Sequence, residues 1–161
     1  MYCFAAIAMT HRRFIMGLVM YKNEHFDDVL RIYVDAFTSP PLNYSFVTKE
    51  KAERYIKDMT RTPGFVGYVN IDEKKVNAFI FGKIDNYFDG NLYEIMELAV
   101  DPSIQRGGIG SKVMHLLESR LKSLGVDAIS LNTSRHLPAY AFYKKNGYSE
   151  IADNVNLAKW L

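Results

Sequence analysis

Between Leu92 and Gly110 the chain writes a complete passage from strand to helix. Leu92 to Val100 is an apolar, β-favouring run that stops at Asp101-Pro102, and proline cannot continue a central strand. A short polar loop leads to Gln105-Arg106-Gly107-Gly108-Ile109-Gly110. Beyond it Ile109, Val113, Leu116, Leu117, Leu121 and Leu124 recur at helical spacing. Gly125 fits the residue after the helix, with Val126 placed to touch Leu121 in a Schellman cap. A strand, a glycine-rich turn and a helix N-terminus make an anion site, because the first helical N–H groups lack intrahelical partners and the helix dipole is positive there. Gly107, Gly108 and Gly110 let a bulky anion approach the backbone, and Arg106 adds a positive charge. A pyrophosphate suits such a turn; a bare strand-to-helix turn is the plain alternative.

Three phosphate motifs compete here. A Walker A loop requires Lys directly after its last glycine, where Ser111 stands. A dinucleotide fingerprint counted from Gly108 requires Gly or Ala at Val113. The third pattern, Gln-x-x-Gly-x-Gly, is met by Gln105, Gly108 and Gly110, with its strand before and its helix after. A second motif follows at Ala139-Tyr140-Ala141-Phe142-Tyr143-Lys144-Lys145-Asn146-Gly147-Tyr148. Together these segments resemble the two signatures of the GNAT acetyltransferase superfamily and cover about the C-terminal half of the chain.

The other elements follow from periodicity. Phe14 to Tyr21 reads as a strand. Asn23 is a candidate cap for a helix with the stripe Phe26, Val29, Leu30, Tyr33, Phe37, which Ser39-Pro40-Pro41 ends. Thr48 caps a second helix with Ala52, Tyr55, Ile56 and Met59 on its apolar face. Strands follow at Phe65 to Ile71 and Val76 to Ile84, turning at Asp72 to Lys75; Asp89-Gly90 marks the next hairpin. Ala128 to Leu131 is a short parallel strand, and Pro138 opens a helix from Ala139 to Lys145. Tyr148 to Ala152 and Asn156 to Leu161 are expected to close the fold as a hairpin around Asp153-Asn154. The expected class is α+β (α/β): a mixed, mostly antiparallel central sheet with helices on both faces, in the order β-α-α-β-β-β-α-β-α-β-β.

The 161 residues suffice for one domain with a full core, taken as residues 16–161. Residues 1–15 read either as an extension upstream of Met16 or as an arm packing Phe4 and Ile7. Met1 to Met9 is too short for a membrane span, and the basic residues follow it rather than precede it, so neither a membrane anchor nor a secretory signal is expected. The net charge of +2 gives no sign of a nucleic-acid binder. A single Cys, Cys3, allows no internal disulfide and no zinc cluster, so no metal is expected and a reducing cytoplasm is the simple setting.

The resemblance implies acetyl transfer from acetyl-CoA to a primary amine. It implies that Leu98, Ala99, Val100, Gln105, Arg106, Gly107, Gly108, Ile109, Gly110, Ser111, Asn132, His136, Ala139 and Tyr143 hold the cofactor. His136 departs from the family's usual Asn. Tyr143 stands where the family keeps a proton-donating Tyr, against the alternative of a packed residue among 11 tyrosines. For the base, Glu97 is preferred and Glu94 is second, since a carboxylate in an otherwise apolar strand is costly unless used or paired. Three apart, they face opposite ways in a regular strand, a parity that a bulge would undo. His11, His25 and His115 read as surface residues, and Lys144 and Lys145 as a solvated helix end. Tyr44, Phe46, Tyr87 and Phe88 are candidate walls for the acceptor, and aromatic walls alone select no class of amine. A non-catalytic acyl-CoA-binding or sensor domain and an unrelated phosphate-binding protein remain the rival readings; a homodimer is compatible with the sequence.

Overall fold

The computed structural model describes residues 17–160. The readings of residues 1–15, of Phe14 to Met16 in the first strand and of Leu161 lie outside the described residues. Five strands form one sheet in the order β1-β2-β3-β4-β5, comprising β1 (Gly17–Met20), β2 (Phe65–Asp72), β3 (Lys75–Tyr87), β4 (Gly90–Val100) and β5 (Ala128–Leu131). Every neighbouring pair is antiparallel except β4 and β5, the pair joined by a helical crossover. Helices α1 (Phe26–Thr38) and α2 (Lys49–Thr60) precede β2; α3 (Ile109–Ser123) links β4 to β5, and α4 (Pro138–Lys145) follows.

Alternation along β3 divides the interior into two cores. Phe79 and Phe81 face α1 and α2, where they meet Val29, Ile32, Tyr33, Ile56 and Val69. Ala78 and Ile80 face α3, where they meet Tyr93, Val113, Met114, Leu117 and Leu121. Helices α1 and α2 thus bury their apolar stripes against one face of the sheet and α3 against the other.

The ends of the helices show how local chemistry sets their length. The Thr48 hydroxyl accepts from the Lys51 amide, 3.3 Å, and caps α2. Helix α3 ends as the sequence predicts: the Val126 amide donates to Leu121 and the Gly125 amide to Lys122, with Gly125 at φ 74°. Helix α4 ends the same way. Tyr148 donates to the Tyr143 carbonyl, Gly147 to Lys144, and Gly147 has φ 88°. The rings of Tyr143 and Tyr148 then meet edge to face at 5.6 Å. The second sequence signature is therefore, physically, a Schellman cap that locks Tyr143.

Three expectations need correction. Asn23 does not cap α1; Asn23–His25 is a 3-10 turn, and α1 starts at Phe26 with no side-chain cap. His25 is not a surface residue, since its side chain is only 12% exposed and its Nδ1 accepts from the Lys22 amide at 3.1 Å. The closing hairpin does not form: residues 148–160 contain no strand. Asn154 does close a turn onto Ile151, yet Ile151, Val155, Leu157 and Trp160 remain exposed. A strand's register is fixed by burying one face, and these side chains bury none; the side-chain link from this segment to the end of β5 is Asn156 to Asn132.

Candidate active site

Strand β4 carries a bulge. Phe81 of β3 pairs with Glu97 and Gly82 pairs with Ile95, so Met96 is the extra residue. Glu94 pairs with Lys83. Since residues 81 and 83 share a face of β3, Glu94 and Glu97 share a face too, contrary to the parity of a regular strand. That face looks toward α1 and α2. Gly82 serves the same irregularity. A Cβ there would stand 2.4 Å from Tyr93 Cζ; without one, the Tyr93 ring crosses β3 and donates to the Val66 carbonyl of β2 at 2.8 Å.

The two carboxylates live in different surroundings. Glu94 is paired with Lys83 at 3.2 Å, and Lys83 also meets Asp85 at 2.8 Å. Glu97 makes no ion pair among the described residues. Burial pushes its carboxyl up to about 7, opposed in part by a hydrogen bond from the Leu98 amide. Tyr33 of α1, Tyr55 of α2 and Tyr143 of α4 all feel its charge. Tyr143 is partly buried between Phe142 and Tyr148. Burial first, and then the charge of Glu97, raise its phenol above the ordinary value, so it stays protonated.

Beside these groups the sheet opens. Strand β5 follows β4 only from Leu92↔Ala128 to Ile95↔Leu131 and then ends, while β4 continues to Val100. Leu98, Ala99 and Val100 therefore have a strand partner on the β3 side alone. The glycine turn lies at the end of this open stretch. Gln105 Nε2 donates to the Val100 carbonyl, 3.0 Å, and folds the turn back onto β4. Asp101 accepts from the Ser103 amide at 3.0 Å and from Arg31 of α1 at 2.7 Å, which ties the loop to the first core.

Arg106 and Gly108 both take positive φ, 66° and 80°, with open space where a Gly108 Cβ would stand. Lys112 makes the first backbone bond of α3, to Gly108. Among the described residues the amides from Arg106 through Ile109 and Gly110 to Ser111 make no backbone bond. Gly107 adds no Cβ to this surface. Gly110 matters for packing instead. A Cβ there would stand 3.0 Å from Phe142, so this glycine lets α4 lie against the start of α3.

The remaining predicted residues stand between β5 and α4. Asn132 and His136 are exposed and Ala139 is partly buried. Asn132, His136 and Tyr143 border an open cleft of about 1410 Å³ between β5, α4 and the C-terminal segment, and Ala139 lies in the first turn of α4, outside its lining. Across this cleft Arg135 grips Glu150 through two bonds, 3.0 and 2.8 Å, joined by the Tyr140 hydroxyl at 2.7 Å. His115 lies on the surface of α3 beside Glu118. Among the described residues no cluster of metal-ligating side chains occurs, and no helix is long and apolar enough to cross a membrane. Sequence reasoning missed the approach of Tyr33 and Tyr55 to Glu97. Both appeared only as members of an apolar stripe, and helical spacing carries no sign of a partner 40 or more residues away.

Residues 26–148 match the model of the acetyltransferase (GNAT) family. No curated protein matches the chain. Solved structures share the fold at low identity. A possible acetyltransferase from Clostridium difficile 630 superposes with a TM-score of 0.71 at 15% identity, covering 91% of this chain and 98% of its own. An aminoglycoside acetyltransferase from an uncultured soil metagenomic sample, in complex with sisomicin, gives 0.69 at 17%, covering 91% and 96%. A transcriptional regulator from Bacillus halodurans C-125 gives 0.70 at 16%, covering 91% and 99%.

Proposed function

The chain belongs to the acetyltransferase (GNAT) family, and from that premise we propose that it moves an acetyl group from acetyl-CoA to a primary amine of a small molecule or peptide. The observation that carries this reading is the glycine turn, whose amides make no backbone bond among the described residues, set at the end of the stretch of β4 that β5 leaves open, with the Tyr143 phenol feeling the charge of Glu97.

The turn fits a pyrophosphate. Its amides from Arg106 to Ser111 lack backbone acceptors among the described residues, Gly108 presents no side chain, and Arg106 supplies charge. Leu98, Ala99 and Val100 offer the edge of an open strand to the pantetheine arm, and Asn132, His136 and Ala139 lie toward its other side. Acetyl-CoA supplies the activated thioester. The balance is simple: the carbon–sulfur bond breaks, a carbon–nitrogen bond forms, one net proton is released from the ammonium, and the sulfur leaves as a thiol.

Each demand of that balance has a residue. A lysine-like amine is protonated at neutral pH and must lose a proton to attack. Glu97, held near pH 7 by burial, accepts it directly or through a water. The Tyr143 hydroxyl, kept protonated by its surroundings, donates to the departing sulfur. A backbone amide on the open side of β4 receives the charge that grows on the carbonyl oxygen. Glu94, neutralised by Lys83, orders the strand instead.

The direct test is turnover of acetyl-CoA across a panel of primary amines, with CoA binding measured in parallel. Acetylated product supports the reading. CoA binding with no turnover on any amine would identify a binding domain of the same fold.

A further inference from the structure

The chain leaves β4 through an anchored joint. The last pair of β3 with β4 is Ala78↔Val100, and one residue further on the Asp101 amide donates to the Asn77 carbonyl at 2.9 Å. Asn77 is the extra residue of a bulge in β3, since Asn70 of β2 pairs with Ala78 and Ile71 with Val76. Its side chain is buried and accepts from the buried Asn70 at 2.7 Å. A buried polar pair of this kind rigidifies the backbone that carries it.

Asp101 extends the anchor into the loop. Its Oδ1 accepts from the Ser103 amide at 3.0 Å and from the Ser103 hydroxyl at 2.6 Å, and its carbonyl accepts from the Ile104 amide at 3.1 Å. Its Oδ2 accepts from Arg31 Nη1 at 2.7 Å. The other arm of that guanidinium, Nη2, donates to the Val76 carbonyl at 3.5 Å, next to Asn77. Arg31, Val76, Asn77 and Asp101 thus close a ring between α1, β3 and the loop. Burial alone would raise the Asp101 carboxyl; the bonds from Ser103 and Arg31 outweigh it and hold the group below its ordinary value, in the charged form. Gln105 then returns to the Val100 carbonyl. The pattern changes at the next residue, because the amides from Arg106 to Ser111 have no backbone acceptor among the described residues.

Resting on the acetyl-transfer reading above, we propose that Arg31 and Asp101 are positioning residues for the cofactor's diphosphate. Their bond holds the loop so that the free amides beyond Gln105 are set before the diphosphate arrives, and they act through the backbone of the turn rather than as ligands. The Arg31 side chain is 45% exposed and that of Asp101 is 16% exposed, so the pair adds little to stability by itself. Its effect lies in the ordering cost that a preset turn saves on binding.

The experiment measures CoA binding by calorimetry in the wild type, Arg31→Met, Asp101→Asn and the double variant, well below each melting midpoint. Turnover is compared with acetyl-CoA and with S-acetylpantetheine, which lacks the diphosphate. Met keeps the apolar stem of a half-exposed arginine, and Asn keeps the shape of Asp101 and an acceptor for Ser103, so the variants retain the fold. Each single variant should bind CoA about 10-fold more weakly, and the double variant no more weakly than the worse single. KM for acetyl-CoA should rise alike, while kcat and the kcat/KM for S-acetylpantetheine stay unchanged. Wild-type CoA affinity in the variants, equal losses with both donors, or a double variant weakened by the product of the singles each overturn the inference and leave acetyl transfer standing. CoA bound by the wild type and weakened in the variants, with no amine turned over, keeps the positioning pair and sinks the enzyme reading. No CoA binding to the wild type overturns both.

Discussion

Glu97 is a carboxyl placed where its charge is costly. Its folded value near 7 lies above the ordinary 4.5, so the fold holds the proton more tightly than the unfolded chain does. Its favourable contribution is therefore complete below about pH 4.5 and is lost as the pH rises through 7. Glu97→Gln should stabilise the protein by about 1–3 kcal/mol at pH 8 and change little at pH 5, by urea unfolding at the two pH values. The same substitution should lower kcat/KM by about 10²-fold and remove the rise centred near pH 7 that is expected of the wild type. Glu94→Gln should keep that rise, because Glu94 is already paired with Lys83. Wild-type profiles in both variants would assign the proton to solvent instead. Tyr143→Phe removes one hydroxyl and little volume; a loss of about 10²-fold in kcat with unchanged CoA affinity is expected from turnover and calorimetry.

At the scale of elements, glycines decide what approaches what. Gly108 provides a left-handed turn with nothing over it, so Gly108→Val should fold with about 1–2 kcal/mol of strain yet lose most of its CoA affinity by calorimetry. A folded variant that binds CoA as the wild type does would remove the pyrophosphate from this turn. Gly82 is a packing glycine: a methyl group would collide with the Tyr93 ring and the Glu94 carbonyl. Gly82→Ala should cost about 1–3 kcal/mol, and because the β4 bulge begins opposite Gly82, it should also slow turnover in the fraction that remains folded. Thermal melts paired with rates at a temperature well below the midpoint separate the two effects.

The described residues form two cores divided by one sheet, with the proposed site where the sheet parts. β4 belongs to both cores, since Ala99 packs toward α1 and α2 while Tyr93 and Ile95 pack toward α3. The gap beside Leu98 to Val100 exists because β5 stops after four residues. Arg31 to Asp101 is the ion pair that carries α1 to the loop before the glycine turn. The C-terminal segment contributes little to this plan. Removing residues 153–161 should shift the thermal midpoint by no more than a few degrees, because Val155, Leu157 and Trp160 are exposed already. A large fall would mean that the segment packs against β5 in solution.

The sequence determined the elements whose causes are local. Helical stripes placed α1, α2 and α3, Pro138 opened α4, Thr48 and Gly125 set helix ends, and the Asp-Pro stop and glycine turn marked where β4 gives way to α3. Each is written within a few neighbouring residues, so each was legible. Tertiary structure decided the rest. The one-residue bulge at Met96 turned Glu97 to the face of Glu94, and no pattern of residue types within β4 announces it. The bulge is set by pairing with β3, where Gly82 makes room for Tyr93. The separation of a paired Glu94 from a buried Glu97 needed Lys83, 11 residues away on the neighbouring strand. The closing hairpin failed for the opposite reason: the turn residues Asp153-Asn154 between two partly apolar runs suggested a hairpin, but a strand forms only where another element offers a face to bury, and no local pattern supplies that face.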